Sequence, residues 1–293
     1  MPDRVVPPPA DECELRSHLR ACAATCPLAD GVLTRIEGGL SNHAWRLEVD
    51  GTRWFVRLGS PQAARLGVDR QNEYALLTTV SAAGLAPQLW ACEPATGLLV
   101  TAFVDGETWS ASTATEDSNI RRVAARLREL HELPVPPGIR RVDYERQARH
   151  LAGSLPPGDG AASVLGDRAA AAFARIGRER SATTLCHNDL HHLNLLDDGR
   201  QLWLVDWEYG GRGDPLFDVA GFLALHDLGP GPTAVLVEAY GRFGPADLRA
   251  LDAARWAFDY VQWLWYRSRF PNPVGDEAWY AERLAQRLLR CNN

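Results

Sequence analysis

One stretch of the chain concentrates residue types that can carry phosphoryl transfer. His187-Asn188-Asp189 is followed by Asn194, five residues after Asp189, and by Asp206, 12 residues after Asn194. A carboxylate can serve as the base for an attacking hydroxyl, and amide and carboxylate oxygens are ligands that Mg²⁺ prefers. A hairpin of two short strands would bring the three side chains to one side of one pocket. The spacing therefore predicts Mg·ATP-dependent phosphoryl transfer in preference to a polar turn between buried strands.

The composition limits the classes of protein to which the chain can belong. Of its 293 residues, 46% are hydrophobic and 23% are charged, as in soluble globular proteins of one large core or two lobes. A net charge of −6 provides no general basic field for nucleic acid or an anionic membrane. No apolar run approaches the roughly 18 residues of a membrane span, and no apolar core of signal-peptide length follows Met1. We expect a cytoplasmic protein without nucleic-acid partners or a membrane span; the oligomeric state is not indicated.

The six cysteines are scattered along the chain, which favours reduced thiols over a disulfide framework. Cys22 and Cys26 form a C-x-x-x-C pair, but no second pair of cysteines or histidines lies nearby in the sequence. We therefore expect ordinary thiols at these positions and no zinc site.

The N-terminal part of the sequence combines strands with a glycine-rich turn. We predict helices over 11–24 and 69–83, and strands over 32–36, 43–49, 52–58, 88–92 and 98–103. The turn after the first strand contains Gly38, Gly39, Leu40, Ser41 and Asn42. Glycines allow a backbone to approach phosphates closely and to offer N–H donors. This order of elements predicts a nucleotide-binding sheet.

Two charged residues belong with that turn. Arg57 lies near the end of the third strand, from which a cation can reach the α and β phosphates of a nucleotide. Glu73 lies near the start of the following helix, for which Asp69 is the predicted N-cap. We expect Arg57 and Glu73 to form an ion pair.

A break at Asp105-Gly106 marks the boundary that we predict between two lobes. We expect a helical lead-in over 1–30, a nucleotide-binding lobe over 31–104 and a catalytic lobe over 105–293. A hinge at this boundary would offer backbone groups of Ala102 and Val104 to an adenine edge.

Helices dominate the predicted C-terminal part. His131, on a predicted helix over 115–132, is interpreted as a packed and hydrogen-bonded core histidine. Asp214-Pro215 opens another helix, with Asp214 as N-cap. Asp218, four residues further on, is expected to brace the backbone of the 187–189 loop.

An aromatic-rich helix follows, with Trp256, Tyr260 and Trp263 on one face at helical spacing. Core packing explains some of these rings. The alternative is that Tyr260, Trp263 and Tyr266 line a pocket for a cationic substrate through cation–π contacts.

These residues together resemble the choline/ethanolamine kinase branch of the aminoglycoside phosphotransferase-like kinases, and bacterial thiamine kinases are similar too. The most specific pieces are His187-Asn188-Asp189 with Asn194, and Asp206-Trp207-Glu208-Tyr209; the turn 38–42 also resembles the family's nucleotide loop. The resemblance implies an α+β, bilobal, protein-kinase-like fold. It has a small antiparallel β-rich N-lobe and a larger, mainly α-helical C-lobe, and it uses ATP and Mg²⁺.

The resemblance also implies roles for individual residues. Asp189 would be the catalytic base, Asn194 and Asp206 would hold Mg²⁺, and Arg57 with Glu73 would fix the phosphates. His191 falls where protein kinases place a catalytic-loop lysine and would touch the γ-phosphate. On the acceptor side the resemblance implies Glu208 and the aromatic residues. Eukaryotic choline kinases carry a further acidic residue where this chain has Leu225, and Asp227 is the candidate substitute.

The expected acceptor is a hydroxyl of a small, cationic molecule such as choline or ethanolamine. Thiamine and aminoglycosides remain alternatives, although the aromatic helix argues against the acid-lined cleft that a polycation needs. A pseudokinase that only binds nucleotide is the alternative from another class. The presence of Asp189, Asn194 and Asp206 argues against it.

Overall fold

The computed structural model describes residues 12–36, 42–59, 67–155, 160–177, 184–270 and 275–290. The chain divides into two compact units. The first comprises the described residues up to Trp109, with Pro136–Ile139 and Leu193–Gly210; the second comprises Ser110–Val135, Arg140–His192 and the described residues from Gly211 onward. The contiguous limits 31–104 and 105–293 stay a prediction, since both units draw on separate segments of the chain.

A five-stranded antiparallel sheet forms most of the first unit. Its strands, in the order β1-β2-β3-β5-β4, are β1 (Val32–Ile36), β2 (Asn42–Val49), β3 (Thr52–Gly59), β4 (Leu89–Glu93) and β5 (Leu98–Ala102). Asp50 and Gly51 link β2 to β3 with φ values of 49° and 75°, as a two-residue hairpin turn requires. The predicted strands are therefore present, with ends displaced by at most one residue.

The two faces of β3 carry different kinds of side chain. Val56 and Leu58 point into an apolar core with Leu15 and Leu19 of α1 (Glu12–Ala21), and Trp54 packs at its edge. Arg57 lies on the opposite face of the strand and is nevertheless buried. Because successive side chains of a strand point to opposite faces, β3 separates the apolar core from the charged side chains around Arg57.

Helix α2 (Arg70–Ala82) begins at the predicted cap, because the Asp69 carboxylate accepts hydrogen bonds from the backbone of Gln71 and Asn72. Tyr74, on this helix, is 42% exposed. The buried face contains Glu73, Leu76, Leu77 and Val80, and it turns Tyr74 to solvent.

A second, three-stranded antiparallel sheet completes the first unit. It consists of β6 (Glu107–Thr108), β8 (Leu195–Asp197) and β9 (Leu202–Leu204), with β8 in the middle.

The second unit is mainly helical. Its helices are α3 (Asp117–Glu132), α4 (Tyr144–Gly153), α5 (Gly160–Ile176), α6 (Pro215–Leu225), α7 (Pro230–Tyr240), α8 (Pro245–Arg269) and α9 (Gly275–Arg290). The short strands β7 (Thr184–Cys186) and β10 (Gly211–Gly213) pair antiparallel. Sheet in the N-terminal part and helices in the C-terminal part confirm the α+β prediction. Among the described helices, none combines the length and apolarity needed to cross a bilayer.

Candidate active site

The β8–β9 hairpin brings two predicted metal ligands together. Leu195 pairs with Leu204, and the N–H of Val205 donates to the carbonyl of Asn194 at 3.0 Å. Asn194 directly precedes β8, and Asp206 is the second residue after β9. Both therefore lie at the same end of the hairpin. The hairpin predicted from the spacing is therefore present. Asp206 has left-handed backbone angles, φ 63° and ψ 70°, and starts a 3-10 turn over Trp207–Tyr209.

The donor set at this end of the hairpin suits a hard cation. Asn194 contributes an amide oxygen and is 4% exposed, while Asp206 contributes a carboxylate that is about one third exposed. Mg²⁺ is usually held by one or two protein oxygens together with water and phosphate oxygens. The two residues therefore fit Mg²⁺.

The predicted ion pair of Arg57 and Glu73 is present and buried. Two parallel bonds join them, Nη1 to Oε1 at 2.7 Å and Nη2 to Oε2 at 2.8 Å. Burial acts to lower the pKa of Arg57, but Glu73, with Asp206 and Glu208 beyond it, outweighs burial and raises that pKa. Burial likewise acts to raise the pKa of Glu73, and its pairing with Arg57 and Arg70 lowers it. Both groups are therefore charged at neutral pH.

Arg57 also lies near Asp206, one of the predicted metal ligands. Its Nη1 lies 3.6 Å from a carboxylate oxygen of Asp206. Its Nε–H is buried and finds no hydrogen-bond acceptor within the described parts of the chain. An unsatisfied buried donor next to a cation site is a place where a phosphate oxygen fits.

The predicted nucleotide loop lies mostly outside the described residues. Gly38, Gly39, Leu40 and Ser41 lie outside the described residues, and Asn42 is described as the first residue of β2. At the end of β5 the N–H of Ala102 is bonded to the carbonyl of Gln88. Across the described ranges no hydrogen bond to the backbone of Val104 occurs, which leaves Val104 as the stronger candidate for an adenine contact.

Helix α6 holds the loop that carries Asp189. The Asp218 carboxylate, 2% exposed, accepts hydrogen bonds from the N–H groups of His187 (2.9 Å) and Asn188 (2.7 Å). Asn188 adopts a left-handed φ of 65°, and the N–H of Asp189 donates to the His187 ring at 3.3 Å. The expected bracing by Asp218 is thus observed. Asp189 itself retains a 21% exposed side chain.

His131 extends this bracing to two further helices. Its Nε2 lies 3.1 Å from Asp218 and its Nδ1 lies 2.7 Å from the hydroxyl of Tyr240. Because a carboxylate can only accept, Nε2–H donates to Asp218 and Nδ1 accepts from Tyr240. The interpretation of His131 as a buried, hydrogen-bonded histidine is confirmed. Tyr240, at the end of α7, carries no feature in the sequence that points to this contact.

The same region contains a cluster of potential metal ligands, His131, Cys186 and Asp218. Asp218 is already occupied by two backbone donors and an imidazole. Burial and the nearby Asp218 raise the pKa of the Cys186 thiol well above its usual range, so that the thiol stays protonated. The cluster is therefore a hydrogen-bonded network, not a metal centre.

Three imidazoles lie near one another in the second unit, those of His191, His192 and His226. The Nε2 of His191 lies 3.7 Å from an oxygen of Asp189, and the ring of His192 stands between those of His191 and His226, at 6.2 and 5.9 Å. Burial, with a contribution from His192, lowers the pKa of His191 to about 4. At neutral pH His191 is therefore uncharged, and it would meet a phosphate as a hydrogen-bond donor without a full positive charge.

The two predicted acceptor carboxylates are engaged by arginines. Glu208 is 3% exposed and lies 3.3 Å from Arg70 in the first unit. Asp227, just after α6, has a 59% exposed side chain 3.6 Å from Arg283. Glu208 thus sits among the charges around Asp206, while Asp227 lies at the surface. Their contribution to acceptor binding stays a prediction.

The predicted aromatic face is present on α8. Trp256 stacks on Tyr260 and Tyr260 on Trp263, with centroids 5.4 and 6.1 Å apart. All three rings are less than 10% exposed, as core packing requires. Tyr266 is partly exposed and stacks on Tyr280 of α9, which the sequence did not single out. Of the three predicted pocket residues, Tyr266 is therefore the most accessible.

The model of a family described as phosphotransferase enzyme family matches residues 32–251. Protein LicA of Haemophilus influenzae is 28% identical over 209 residues, which cover 69% of this chain and 61% of that protein. The chain thus matches less than two thirds of that relative's length.

Two solved structures cover nearly the whole chain. A choline/ethanolamine kinase family protein from Mesorhizobium loti has a TM-score of 0.76 at 24% identity, covering 94% of this chain and 93% of its own. Choline kinase LicA from Streptococcus pneumoniae has a TM-score of 0.76 at 17% identity, covering 95% and 97%. These likenesses confirm the predicted kinase-like fold.

Proposed function

Because the chain belongs to the phosphotransferase enzyme family, we propose that it transfers the γ-phosphoryl group of ATP to a hydroxyl of a small molecule. The observation that carries this proposal is the β8–β9 hairpin. It sets Asn194 and Asp206 side by side, with Arg57 3.6 Å from Asp206. An amide, a carboxylate and a buried arginine in this arrangement are what a magnesium–nucleotide complex needs.

Nucleotide binding rests on the first unit. Arg57 donates to phosphate oxygens through its free Nε–H, and Glu73 fixes the guanidinium in one orientation by two bonds. Asn194 and Asp206 would hold Mg²⁺, which would supply positive charge that offsets the charge of the phosphates. A LicA structure with a TM-score of 0.70 to this chain contains AMP, which supports an adenine nucleotide.

Asp189 serves as the base for the acceptor. The acceptor oxygen attacks the γ-phosphorus, the bond from that phosphorus to the β–γ bridging oxygen breaks, ADP leaves, and the hydroxyl proton passes to Asp189. Asp218 fixes the two residues before Asp189 through their N–H groups, so that Asp189 is oriented before the acceptor arrives. Catalysis is then mainly positioning and electrostatic stabilisation, without a covalent enzyme intermediate.

The acceptor that we propose is a small amino alcohol of the choline or ethanolamine type. The choline kinases among the similar structures and the aromatic rings of α8 and α9 support a cationic acceptor. Thiamine is the second candidate, because a thiazolium ring would stack on the same aromatic residues. Use of ATP, together with free cysteines at the five positions described, supports a cytoplasmic setting.

The test is ADP release from Mg·ATP with choline, ethanolamine, thiamine and kanamycin as acceptors, with Asp189→Asn as the blank. We expect turnover with one of the first three. Turnover with kanamycin alone would replace the proposed acceptor class by aminoglycosides. A chain that neither binds ATP nor releases ADP with any acceptor would overturn the proposed function.

A further inference from the structure

Arg70, the first residue of α2, joins two buried carboxylates. Its Nη1 lies 2.7 Å from Oε2 of Glu73 and 3.3 Å from Oε2 of Glu208. The Arg70 side chain is 10% exposed, that of Glu208 is 3% exposed and that of Glu73 is fully buried. One guanidinium therefore links the residue that holds Arg57 to the turn that follows Asp206.

The backbone is shaped to admit this guanidinium. A Cβ atom on Gly59, the last residue of β3, would lie 2.9 Å from Nη2 of Arg70, closer than a carbon–nitrogen contact allows. Glycine at this position lets Arg70 lie flat on the strand. From there it reaches both carboxylates.

A second contact from the same helical turn supports the first. The side-chain amide of Asn72 donates to the carbonyl of Gly210 at 2.8 Å, and Asn72 is 5% exposed. Arg70 and Asn72 thus hold Glu208 and Gly210, which lie in and just after the 3-10 turn that begins at Asp206. The first turn of α2 fastens this segment at two points.

The charges of the cluster show what Arg70 contributes. The cluster contains two arginines, Arg57 and Arg70, and three carboxylates; Glu73 and Glu208 are buried, and Asp206 is about one third exposed. Arg70 lies within ion-pair distance of the buried Glu208 carboxylate. Removing one partner of a buried ion pair is strongly unfavourable, because the charge that stays behind loses an attraction that offset its burial. Loss of Arg70 would therefore favour a shift of the turn that carries Glu208.

We propose that Arg70 is a positioning residue for the metal site. Through Glu208, and together with Asn72, it holds the turn after Asp206 and so keeps the Asp206 carboxylate in the orientation that binds Mg²⁺. This inference rests on the proposed function. In this role Arg70 acts on Asp206 through the turn that it holds, as the outer partners of metal ligands act through the residues that they orient.

The test is the affinity of the chain for Mn²⁺ in the presence of ADP, measured by the loss of the free Mn²⁺ paramagnetic resonance signal. For Arg70→Met we expect affinity about 10–100-fold weaker, the usual effect of losing an outer partner of a metal ligand. Binding of ADP without metal should change little. Arg20→Met removes an exposed ion pair with Asp30 in the same unit and is the matched control.

Two further variants keep the test valid if Arg70→Met folds poorly. Arg70→Lys retains the charge but lacks the planar fork that serves two carboxylates, so we expect a partial loss of Mn²⁺ affinity. Adding Glu208→Gln to Arg70→Met removes the unpaired charge. If Arg70 acts through Glu208, the double variant binds Mn²⁺ no more weakly than the single one.

The inference would be overturned if Arg70→Met bound Mn²⁺ as tightly as the wild type. It would also be overturned if the variant lost as much affinity for ADP without metal as it lost for Mn²⁺. Either result would leave the proposed function intact. A wild-type chain that binds neither Mn²⁺ nor ADP would overturn both.

Discussion

At the scale of single residues, Asp189 is the group whose role is most directly testable. Its side chain is accessible, and its loop is fixed by backbone bonds to Asp218. For Asp189→Asn, which keeps size and polarity but cannot take a proton, we expect turnover to fall roughly 10²–10⁴-fold. Steady-state kinetics with the acceptor found in the ADP-release assay measure this. Near-normal turnover would exclude Asp189 as the base.

Tyr240 affects stability through a single hydroxyl. Its O–H satisfies Nδ1 of His131, so that the other ring nitrogen carries the proton toward Asp218. Tyr240→Phe leaves Nδ1 buried without a donor, and we expect a loss of about 1–3 kcal/mol in the free energy of unfolding, measured with urea. Tyr74→Phe, at a 42% exposed ring, is the control and should change stability little. Equal stability of the two variants would contradict this assignment.

Two partly buried imidazoles make stability depend on pH. Burial lowers the pKa of His191 and that of His226 to about 4, against 6.5 for the unfolded chain. Between pH 6.5 and 4 the unfolded chain binds more protons, so that stability is complete above pH 6.5 and falls as the pH drops toward 4. In His226→Gln we expect the free energy of unfolding to fall less steeply between pH 6.5 and 4, measured by urea unfolding at a series of pH values. A slope equal to that of the wild type would contradict this prediction.

At the scale of secondary-structure elements, local patterns in the sequence were sufficient to predict the strands, turns and helix caps. The alternation in β3, the Asp50-Gly51 turn and the cap at Asp69 each lie within a few residues of the feature that they determine. The hairpin joining Asn194 to Asp206 was predictable for the same reason. Arg70 and Glu208 are 138 residues apart, and His131 and Tyr240 are 109 apart. No local pattern encodes which distant residues pair, so these contacts were not predicted.

The N-cap of α2 should contribute measurably to the stability of the chain. Asp69→Ala removes the acceptor for two N–H groups, and we expect a loss of about 1 kcal/mol in unfolding free energy. Glu116→Ala is the control, since Glu116 precedes α3 as N-cap without a side-chain cap bond. Urea midpoints at equal m values give the comparison. A larger loss in the control would contradict the assigned cap.

At the scale of the whole molecule, ligand binding should stabilise the fold. A nucleotide complex that binds only the folded chain adds about 2.7 kcal/mol at 100 times its Kd. We expect Mg·ADP to raise the unfolding temperature and EDTA to remove the part due to the metal. Asp206→Asn weakens one of the two oxygen ligands. We expect ADP to raise the unfolding temperature of this variant, but Mg²⁺ to add less to that rise than in the wild type. A magnesium response equal to that of the wild type would exclude Asp206 as a ligand.

The path of the chain has a consequence for protein engineering. Leu193–Gly210 belongs to the first unit, although the residues before and after it belong to the second. A gene fragment ending at Trp109 would therefore encode β6 without β8 and β9, and neither Asn194 nor Asp206. A chimera of two relatives made with a single crossover after Trp109 would combine the N-terminal sheet of one parent with Asn194 and Asp206, the proposed metal ligands, of the other. Recombination that respects this topology must move Leu193–Gly210 together with the N-terminal sheet.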